Sequence, residues 1–206
     1  MTGGLGDRHP SMTDRAFIIH GYQGYAQEAW QPWLKAELER RGFDVALPQM
    51  PNSDRPTIGE WISFIADLVG EPDRKTVMIG HSLGAQAVVR YLETLGAHGK
   101  AVGRTVLIAS SFPAGMTPAE ADERTGGDLI LRPWLTVGVD PGNVRKAAGE
   151  CVVILSRDDP YIPFEEAKAS FQKFLGARII VETGRGHLNE DDQIAELPSA
   201  LNAVLS

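Results

Sequence analysis

The sequence predicts an α/β domain with an open, mostly parallel sheet of about six strands and helices on both faces. Short apolar runs alternate with segments of helical period, which is the pattern of repeated βα units. Most of these runs are apolar throughout, as expected of strands that are buried on both faces. The chain has 206 residues, of which 43% are hydrophobic and 23% charged. This length and composition fit one folded domain.

The predicted strands are the apolar runs themselves, and no internal repeat relates them. They cover residues 15–19, 43–47, 76–79, 105–109, 152–155 and 178–181. We expect each to be followed by a helix or a loop at the carboxyl edge of the sheet.

The first two helices are predicted between the first three strands. Their apolar positions are Trp30, Trp33, Leu34 and Leu38 for the first, and Ile58, Trp61, Ile62, Ile65 and Val69 for the second. The apolar positions of the two helices end before Gly42 and Gly70, and glycine is common at a helix C-cap. Thr57 and Glu60 form a capping-box pattern at the start of the second helix. The Trp30 and Trp33 pair is therefore interpreted as core.

Three further helices are predicted in the second half of the fold. One begins after residue 84 and ends near Gly96, with the stripe Ala85, Val88, Val89 and Leu92. Another carries Phe164, Ala167, Phe171 and Leu175. The last begins near Pro198, because proline is tolerated in a first helical turn.

Two segments depart from this alternation. Residues 1–14 are Gly-rich and are predicted to be a flexible N-terminal segment, so that the folded domain covers residues 15–206. Residues 110–149 are punctuated by Pro and Gly and are too long for an ordinary connection. We expect them to form a short, cap-like insertion over the functional site.

Charge and cysteine content exclude several functional classes. There are 20 Lys and Arg against 27 Asp and Glu, so the net charge of −7 opposes nucleic-acid binding. No apolar run approaches the roughly 20 residues that span a bilayer. We therefore expect a cytoplasmic protein. The single cysteine, Cys151, excludes an internal disulfide and a cysteine-cluster metal site. No metal or cofactor is predicted.

The motif Gly80-His81-Ser82-Leu83-Gly84 matches G-x-S-x-G, in which a serine projects from a sharp strand-to-helix turn. A predicted strand precedes the motif and a predicted helix follows it, which is the setting that the motif needs. Ser82 is therefore the candidate nucleophile. His81 is its neighbour in the turn and is interpreted as a packing residue.

A serine hydroxyl near neutral pH needs a base to take its proton. In this setting the acid and then the base follow the nucleophile along the chain. Only His98 and His187 follow Ser82. His98 lies in a polar turn after a helix and is interpreted as a surface residue. His187 lies in a Gly-rich loop after the last predicted strand and is the candidate base.

Two carboxylates follow the fifth predicted strand, in Asp158-Asp159-Pro160. The acid of the triad holds the base in the correct tautomer. Pro160 biases Asp159 toward extended backbone and stiffens the loop. We therefore favour Asp159 as the acid, with Asp158 as the alternative.

An oxyanion intermediate needs two backbone N–H donors. One is predicted at Leu83, directly after the nucleophile, and the second at Tyr22 in the loop after the first strand. His20 is expected to brace that loop. Trp134 is predicted to bind substrate by lining an acyl pocket, and the alternative is a tryptophan that anchors the cap.

Taken together, these motifs make the chain resemble the small α/β-hydrolase family of retinoblastoma-binding protein nine and the bacterial YdeN-like proteins. The resemblance runs from about residue 15 to the C-terminus. It rests on His20-Gly21-Tyr22, Trp33-Leu34, Met50-Pro51-Asn52, Gly80-His81-Ser82-Leu83-Gly84, Arg132-Pro133-Trp134, Asp158-Asp159-Pro160 and Gly186-His187.

The resemblance implies a compact α/β-hydrolase fold with a reduced cap, no cofactor, and Ser82, Asp159 and His187 as nucleophile, acid and base. One member's name implies binding to a pocket protein, whose usual ligand is L-x-C-x-E. Here the only cysteine lies in Gly149-Glu150-Cys151-Val152, which does not support such a protein partner.

We therefore expect a serine hydrolase that cleaves a small ester or related acyl compound. A serine at the turn argues against the dehalogenase and epoxide-hydrolase reactions. A thioesterase, peptidase or acyltransferase could use the same residues. The alternative from another class is a binding protein that keeps the fold without catalysis.

Overall fold

Six parallel strands form one sheet in the computed structural model, which describes residues 13–206. The strands are β1 (Arg15–Ile19), β2 (Asp44–Ala46), β3 (Thr76–His81), β4 (Arg104–Ile108), β5 (Glu150–Ser156) and β6 (Arg178–Glu182). Their order across the sheet is β2-β1-β3-β4-β5-β6, and every neighbouring pair is parallel. The predicted parallel sheet is confirmed. The carboxyl ends of β1, β3, β5 and β6 meet at one edge.

The strand boundaries differ from the prediction by one or two residues. β3 continues through Gly80 to His81, because these two residues pair with Leu107 and Ile108 of β4. β4 stops before Ala109, whose φ of 49° turns the chain out of the sheet. Pairing with a neighbouring strand therefore determines where each strand ends, and these ends differ from those predicted from the local apolar pattern.

Eight helices lie among the described residues. They are α1 (Gln31–Glu39), α2 (Ile58–Val69), α3 (Leu83–Ala97), α4 (Pro118–Thr125), α5 (Arg132–Thr136), α6 (Pro141–Ala147), α7 (Phe164–Leu175) and α8 (Pro198–Leu205). Thr57 caps α2 by accepting a hydrogen bond from the Glu60 N–H, as predicted. The Glu60 carboxylate instead accepts from Asn52, so the capping box forms only in half.

The helices cover both faces of the sheet and bury a separate apolar cluster on each. One cluster joins α1 and α8 to the sheet and contains Trp30 and Leu34. The other joins α2, α3 and α7 and contains Trp61 and Phe171. Each fully buried side chain of this size contributes about 1.5–3 kcal/mol relative to an exposed one. The two clusters therefore pack the helices against opposite faces of the sheet beneath the site.

The segment predicted as a cap-like insertion contains α4, α5 and α6. Helix α6 packs against α3, where Gly96 meets the backbone of Asn143. Helices α4 and α5 border the cavity described below. Of the predicted flexible segment 1–14, residues 1–12 lie outside the described residues. No helix within residues 13–206 is long and apolar enough to cross a membrane.

Candidate active site

Ser82 occupies the turn between β3 and α3 in a backbone conformation that residues with a side chain rarely adopt. Its φ is 53° and its ψ is −120°. Such a conformation costs about 1–3 kcal/mol and persists only when its surroundings enforce it. Here the Ser82 N–H donates a hydrogen bond of 2.8 Å to the Ile108 carbonyl, which ties the turn to β4. The hydroxyl therefore projects at the carboxyl edge of the sheet.

The two flanking glycines allow the turn to pack closely. A Cβ atom at Gly80 would lie 2.5 Å from the Ala85 Cα, and one at Gly84 would lie 2.3 Å from the His20 carbonyl oxygen. Both neighbours are backbone atoms, which cannot move without shifting a strand or a helix. Gly80 thus lets α3 pack closely against β3, and Gly84 lets it pack closely against the end of β1.

Replacing Gly84 with alanine is expected to destabilise the protein by about 3 kcal/mol, near the upper end of what overpacking costs. The added methyl would push α3 away from the backbone of Ile19 and His20. Urea denaturation followed by tryptophan fluorescence measures the change. The matched control is Gly59→Ala in α2, where a Cβ would meet no atom within 4 Å. That variant should gain about 0.5–1 kcal/mol, because alanine loses less backbone freedom than glycine on entering a helix. Equal midpoints for the two variants would contradict the packing argument.

A continuous hydrogen-bond chain joins Asp159, His187 and Ser82. The His187 Nδ1–H donates to Asp159 Oδ2 at 2.8 Å, and the Ser82 hydroxyl donates to His187 Nε2 at 2.9 Å. A carboxylate only accepts, so it places the ring proton on Nδ1 and leaves Nε2 free to accept. The side chains of His187 and Asp159 are 9% and 1% exposed. The structure therefore brings together the three residues that the sequence selected.

Asp158 lies in the same loop but has a different set of partners. Its carboxylate accepts hydrogen bonds from the Ser156 hydroxyl and from the N–H groups of Gly184 and Gly186. These bonds to its charged form lower the pKa of Asp158 to about 2. Asp158 thus ties the loop after β5 to the loop that leads to His187, without contacting the imidazole.

Two buried rings hold the loop that carries His187. The His81 Nε2–H donates to the His187 carbonyl at 2.9 Å, and the Trp30 Nε1–H donates to the Leu188 carbonyl at 2.8 Å. Burial lowers the pKa of His81 to about 3, so this ring is neutral at physiological pH. His81 was interpreted as packing, and it also positions the backbone of His187.

The residues of both predicted oxyanion donors, Leu83 and Tyr22, border the same cavity as Ser82. Within residues 13–206, neither the Leu83 N–H nor the Tyr22 N–H donates to another protein group. Gly21 brings the Tyr22 loop against the nucleophile, since a Cβ at Gly21 would lie 3.1 Å from the Ser82 Cβ. Two unpaired donors next to a nucleophile can receive the charge of an oxyanion.

His20 braces this loop from beneath, as expected. The Met50 N–H donates to His20 Nε2 and the His20 Nδ1–H donates to the Gly21 carbonyl, both at 2.9 Å. Burial lowers the pKa of His20, which favours the neutral ring, and its two partners place the proton on Nδ1. The loop after β1 is thereby fixed to the segment after β2.

A cavity of about 690 Å³ lies above Ser82. Trp134 of α5 forms part of its wall and is only 1% exposed. The Trp134 Nε1–H donates to the Pro56 carbonyl at 3.2 Å, and the indole packs against Trp61. Trp134 therefore anchors the helix and also borders the cavity, so the two interpretations of this residue are compatible. Its contact with substrate stays a prediction.

Arg90 secures the same helix from the protein interior. Its Nη2 donates to the carbonyls of Trp134 and Val137 at 2.8 and 2.6 Å, at the end of α5. Burial lowers the pKa of Arg90 to about 10, so the guanidinium remains charged at neutral pH. A cation at this end of a helix is favourable because the last carbonyls are unpaired.

The edge of the cavity next to His187 is acidic. Glu28, Glu190 and Asp191 border it, and the Tyr25 hydroxyl donates to Glu190 at 2.5 Å. Burial raises the pKa of the Glu28 carboxyl. In the part of the chain that the structure describes, no three His, Cys, Asp or Glu side chains are grouped so that they could hold a metal ion.

Several residues of the site were not selected from the sequence. The Ser110 hydroxyl donates to the Ser82 carbonyl at 2.9 Å, and Gln86 and Ser111 border the cavity. The ring of Tyr161 meets His187 edge to face, with 5.0 Å between centroids. The position of Ser110 and Ser111 directly after β4 is the signal that could have found them, since the carboxyl ends of parallel strands form the site.

Comparison with known proteins agrees with this geometry. A family model described as "Serine hydrolase" matches residues 16–206. The hydrolase YdeN of Bacillus subtilis (strain 168) is 30% identical over 195 residues, covering 95% of this chain and 96% of YdeN. The serine hydrolase RBBP9 of Rattus norvegicus is 27% identical over 198 residues, covering 93% and 96% of the two chains. The resemblance predicted from the sequence motifs is confirmed.

Solved structures show the same architecture. The crystal structure of the ydeN gene product from B. subtilis superposes with a TM-score of 0.80 at 26% identity, covering 94% of this chain and 97% of that one. Est1E from Butyrivibrio proteoclasticus, solved with ferulic acid bound, superposes with a TM-score of 0.67 at 16% identity, covering 97% and 93%. The second likeness concerns the α/β-hydrolase fold alone, which the chain shares.

Proposed function

Since the chain belongs to the serine hydrolase family, we propose that it hydrolyses small carboxylic esters or related acyl compounds through an acyl intermediate on Ser82. The observation that carries the proposal is the hydrogen-bond chain from Asp159 through His187 to Ser82 at the base of an open cavity. A base that is held in this way activates the serine hydroxyl, and this activation does not depend on which substrate is bound.

In the first half of the reaction, His187 Nε2 takes the proton of the Ser82 hydroxyl as Oγ attacks the carbonyl carbon. The charge that develops on the carbonyl oxygen is received by the N–H groups of Leu83 and Tyr22. Asp159 stabilises the imidazolium and keeps its proton on Nδ1. His187 then protonates the leaving oxygen, and the acyl group stays on Ser82.

In the second half of the reaction, a water molecule takes the place that the alcohol has left. His187 takes a proton from the water as its oxygen attacks the acyl carbon, and then returns a proton to Ser82 Oγ as the carboxylic acid leaves. The neutral His81 leaves no second positive charge beside the imidazolium. The same groups therefore serve both halves.

A fluorophosphonate probe tests the proposal, because it needs an activated serine and an oxyanion site but not the natural substrate. We expect a single adduct, located by mass spectrometry on Ser82 and not on Ser110 or Ser111, which border the same cavity. The adduct should be absent from Ser82→Ala and from the wild-type protein in urea. Turnover of p-nitrophenyl esters of increasing acyl length would then show which chain lengths the cavity accepts.

Absence of labelling in folded protein would contradict the proposal and favour a binding protein on this fold. Labelling of Ser82 together with faster turnover of thioesters or peptide amides than of oxygen esters would retain the mechanism and reassign the substrate. Labelling thus tests whether Ser82 is an activated nucleophile, and the relative turnover rates test which class of acyl compound is the substrate.

A further inference from the structure

Gln86 is a buried polar residue of the cavity that the mechanism above does not use. It lies on α3 four residues after Ser82, which is about one helical turn from the nucleophile. Only 5% of the residue is exposed, and it borders the cavity together with Ser111 and Trp134. Its Nε2 donates to the Ser111 hydroxyl at 3.3 Å. The amide therefore lies in the cavity wall, close to where an acyl group would be attached.

The amide of Gln86 is only half satisfied. Within residues 13–206, its Oε1 has no hydrogen-bond partner, although the atom is buried. Rotation about the last side-chain torsion exchanges Oε1 and Nε2 at little cost, so either group can be turned toward a bound molecule. A buried amide oxygen without a donor is unfavourable, and a ligand hydroxyl would relieve it. The Gln86 amide therefore carries one hydrogen-bonding group that no described protein group satisfies, and rotation of the amide lets either group meet a ligand.

The position of the base indicates which part of a substrate would meet Gln86. His187 must protonate the leaving oxygen, so the alcohol part lies toward the loop that continues to Glu190 and Asp191. Gln86 and Ser111 come from α3 and from the segment after β4, which carry no part of that loop. We therefore place the acyl part of the substrate beside Gln86 and Ser111.

We infer that Gln86, together with Ser111, is a specificity-determining pair that binds a hydroxyl group on the acyl part of the substrate. The inference rests on the proposed function. A hydroxyl both donates and accepts, so it can donate to Gln86 Oε1 and accept from the Ser111 hydroxyl or the amide N–H. The preferred substrates are therefore short hydroxyacyl esters rather than simple alkanoates of the same shape.

Matched ester pairs test this inference. The p-nitrophenyl esters of 3-hydroxybutanoate and 3-methylbutanoate differ by one hydroxyl in place of a methyl, as do those of 2-hydroxypropanoate and 2-methylpropanoate. Each kcat/KM is divided by the rate of hydroxide-catalysed hydrolysis, and each enantiomer of a hydroxy ester is measured alone. We expect one pair to favour the hydroxy ester by about 10- to 100-fold, the range for a buried group left unpaired by the analogue.

The variant Gln86→Leu keeps a similar volume and removes both polar atoms of the amide, so its preference should fall to about 1. The matched control is Gln31→Leu. Gln31 is also buried, and neither of its amide atoms has a partner among the described residues, but it lies outside the cavity. That control should keep the wild-type preference. Thermal unfolding of both variants shows whether either change alters the fold.

The outcomes separate this inference from the proposed function. Turnover of both esters at equal normalised rates, or a preference that survives in Gln86→Leu, would overturn the specificity role while leaving the hydrolase intact. Turnover of neither ester by protein that is labelled at Ser82 would also count against it, since the cavity would then exclude the predicted acyl group. Absence of labelling would instead mean that the proposed function had failed, and the inference with it.

Discussion

Replacing Ser82 with alanine should lower kcat for p-nitrophenyl acetate by about 10⁶-fold, the scale on which removal of a triad nucleophile acts in serine hydrolases. Without Oγ no acyl intermediate can form, so His187 has no hydroxyl to deprotonate. KM should approach the dissociation constant of the substrate, because chemistry in the variant is slow relative to dissociation while the cavity wall and the N–H groups of Leu83 and Tyr22 remain. Steady-state kinetics on freshly expressed protein, free of wild-type enzyme, measures the effect.

The residual rate of Ser82→Ala also carries information. Backbone donors and binding alone can leave about 10³- to 10⁴-fold acceleration over water. A residual rate above the rate of uncatalysed hydrolysis in solution would support the assignment of the oxyanion donors. A loss of less than about 10-fold would mean that another group performs the attack, and the scheme would have to be abandoned.

Replacing Asp159 with asparagine should lower kcat by about 10⁴-fold. An asparagine amide can donate to His187 Nδ1, which would move the ring proton to Nε2 and turn it toward Ser82. The imidazole could then no longer accept the serine proton. The change preserves the size of the side chain, so circular dichroism should show an intact fold. The pH dependence of kcat is measured alongside, to show that the loss is not a shift of the pH optimum.

Asp158→Asn is the internal comparison, since it makes the same chemical change one residue earlier in the chain. Asp158 accepts from Gly184 and Gly186 and does not contact His187. Its low pKa, about 2, depends on these bonds, so neutralising it should loosen the loop rather than alter the tautomer. We expect a loss of kcat of about 10-fold or less. Equal losses in the two variants would reopen the choice of the acid.

The alternation of apolar runs and helical stripes was sufficient to predict all six strands and five of the eight helices described. Long, strongly periodic segments such as α2 and α7 were found because their burial pattern is carried by the local sequence. Helices α4, α5 and α6 were not predicted individually. They have five to eight residues each and lie in a segment without a clear apolar stripe, so they depend on tertiary contacts such as those of Arg90 with α5.

The sequence by itself determined which chemical groups the protein presents and in what order. Gly80, Ser82 and Gly84 specify a strand-to-helix turn, and acid and base residues follow at the ends of later strands, because parallel strands bring their carboxyl ends to one edge. Local sequence therefore determines that these loops meet. It does not determine the direction in which each side chain points within its loop.

Pro160 made Asp159 the favoured acid, but only the tertiary structure shows that Asp159 contacts His187 while Asp158 accepts from Ser156, Gly184 and Gly186. It also decided that His81 holds the His187 carbonyl, that Trp134 is anchored at the Pro56 carbonyl, and that Gln86 retains an unpaired amide atom. Each of these depends on contacts between residues far apart in the chain, whose distances are set by packing of the whole sheet and its helices. The local sequence pattern does not determine those distances.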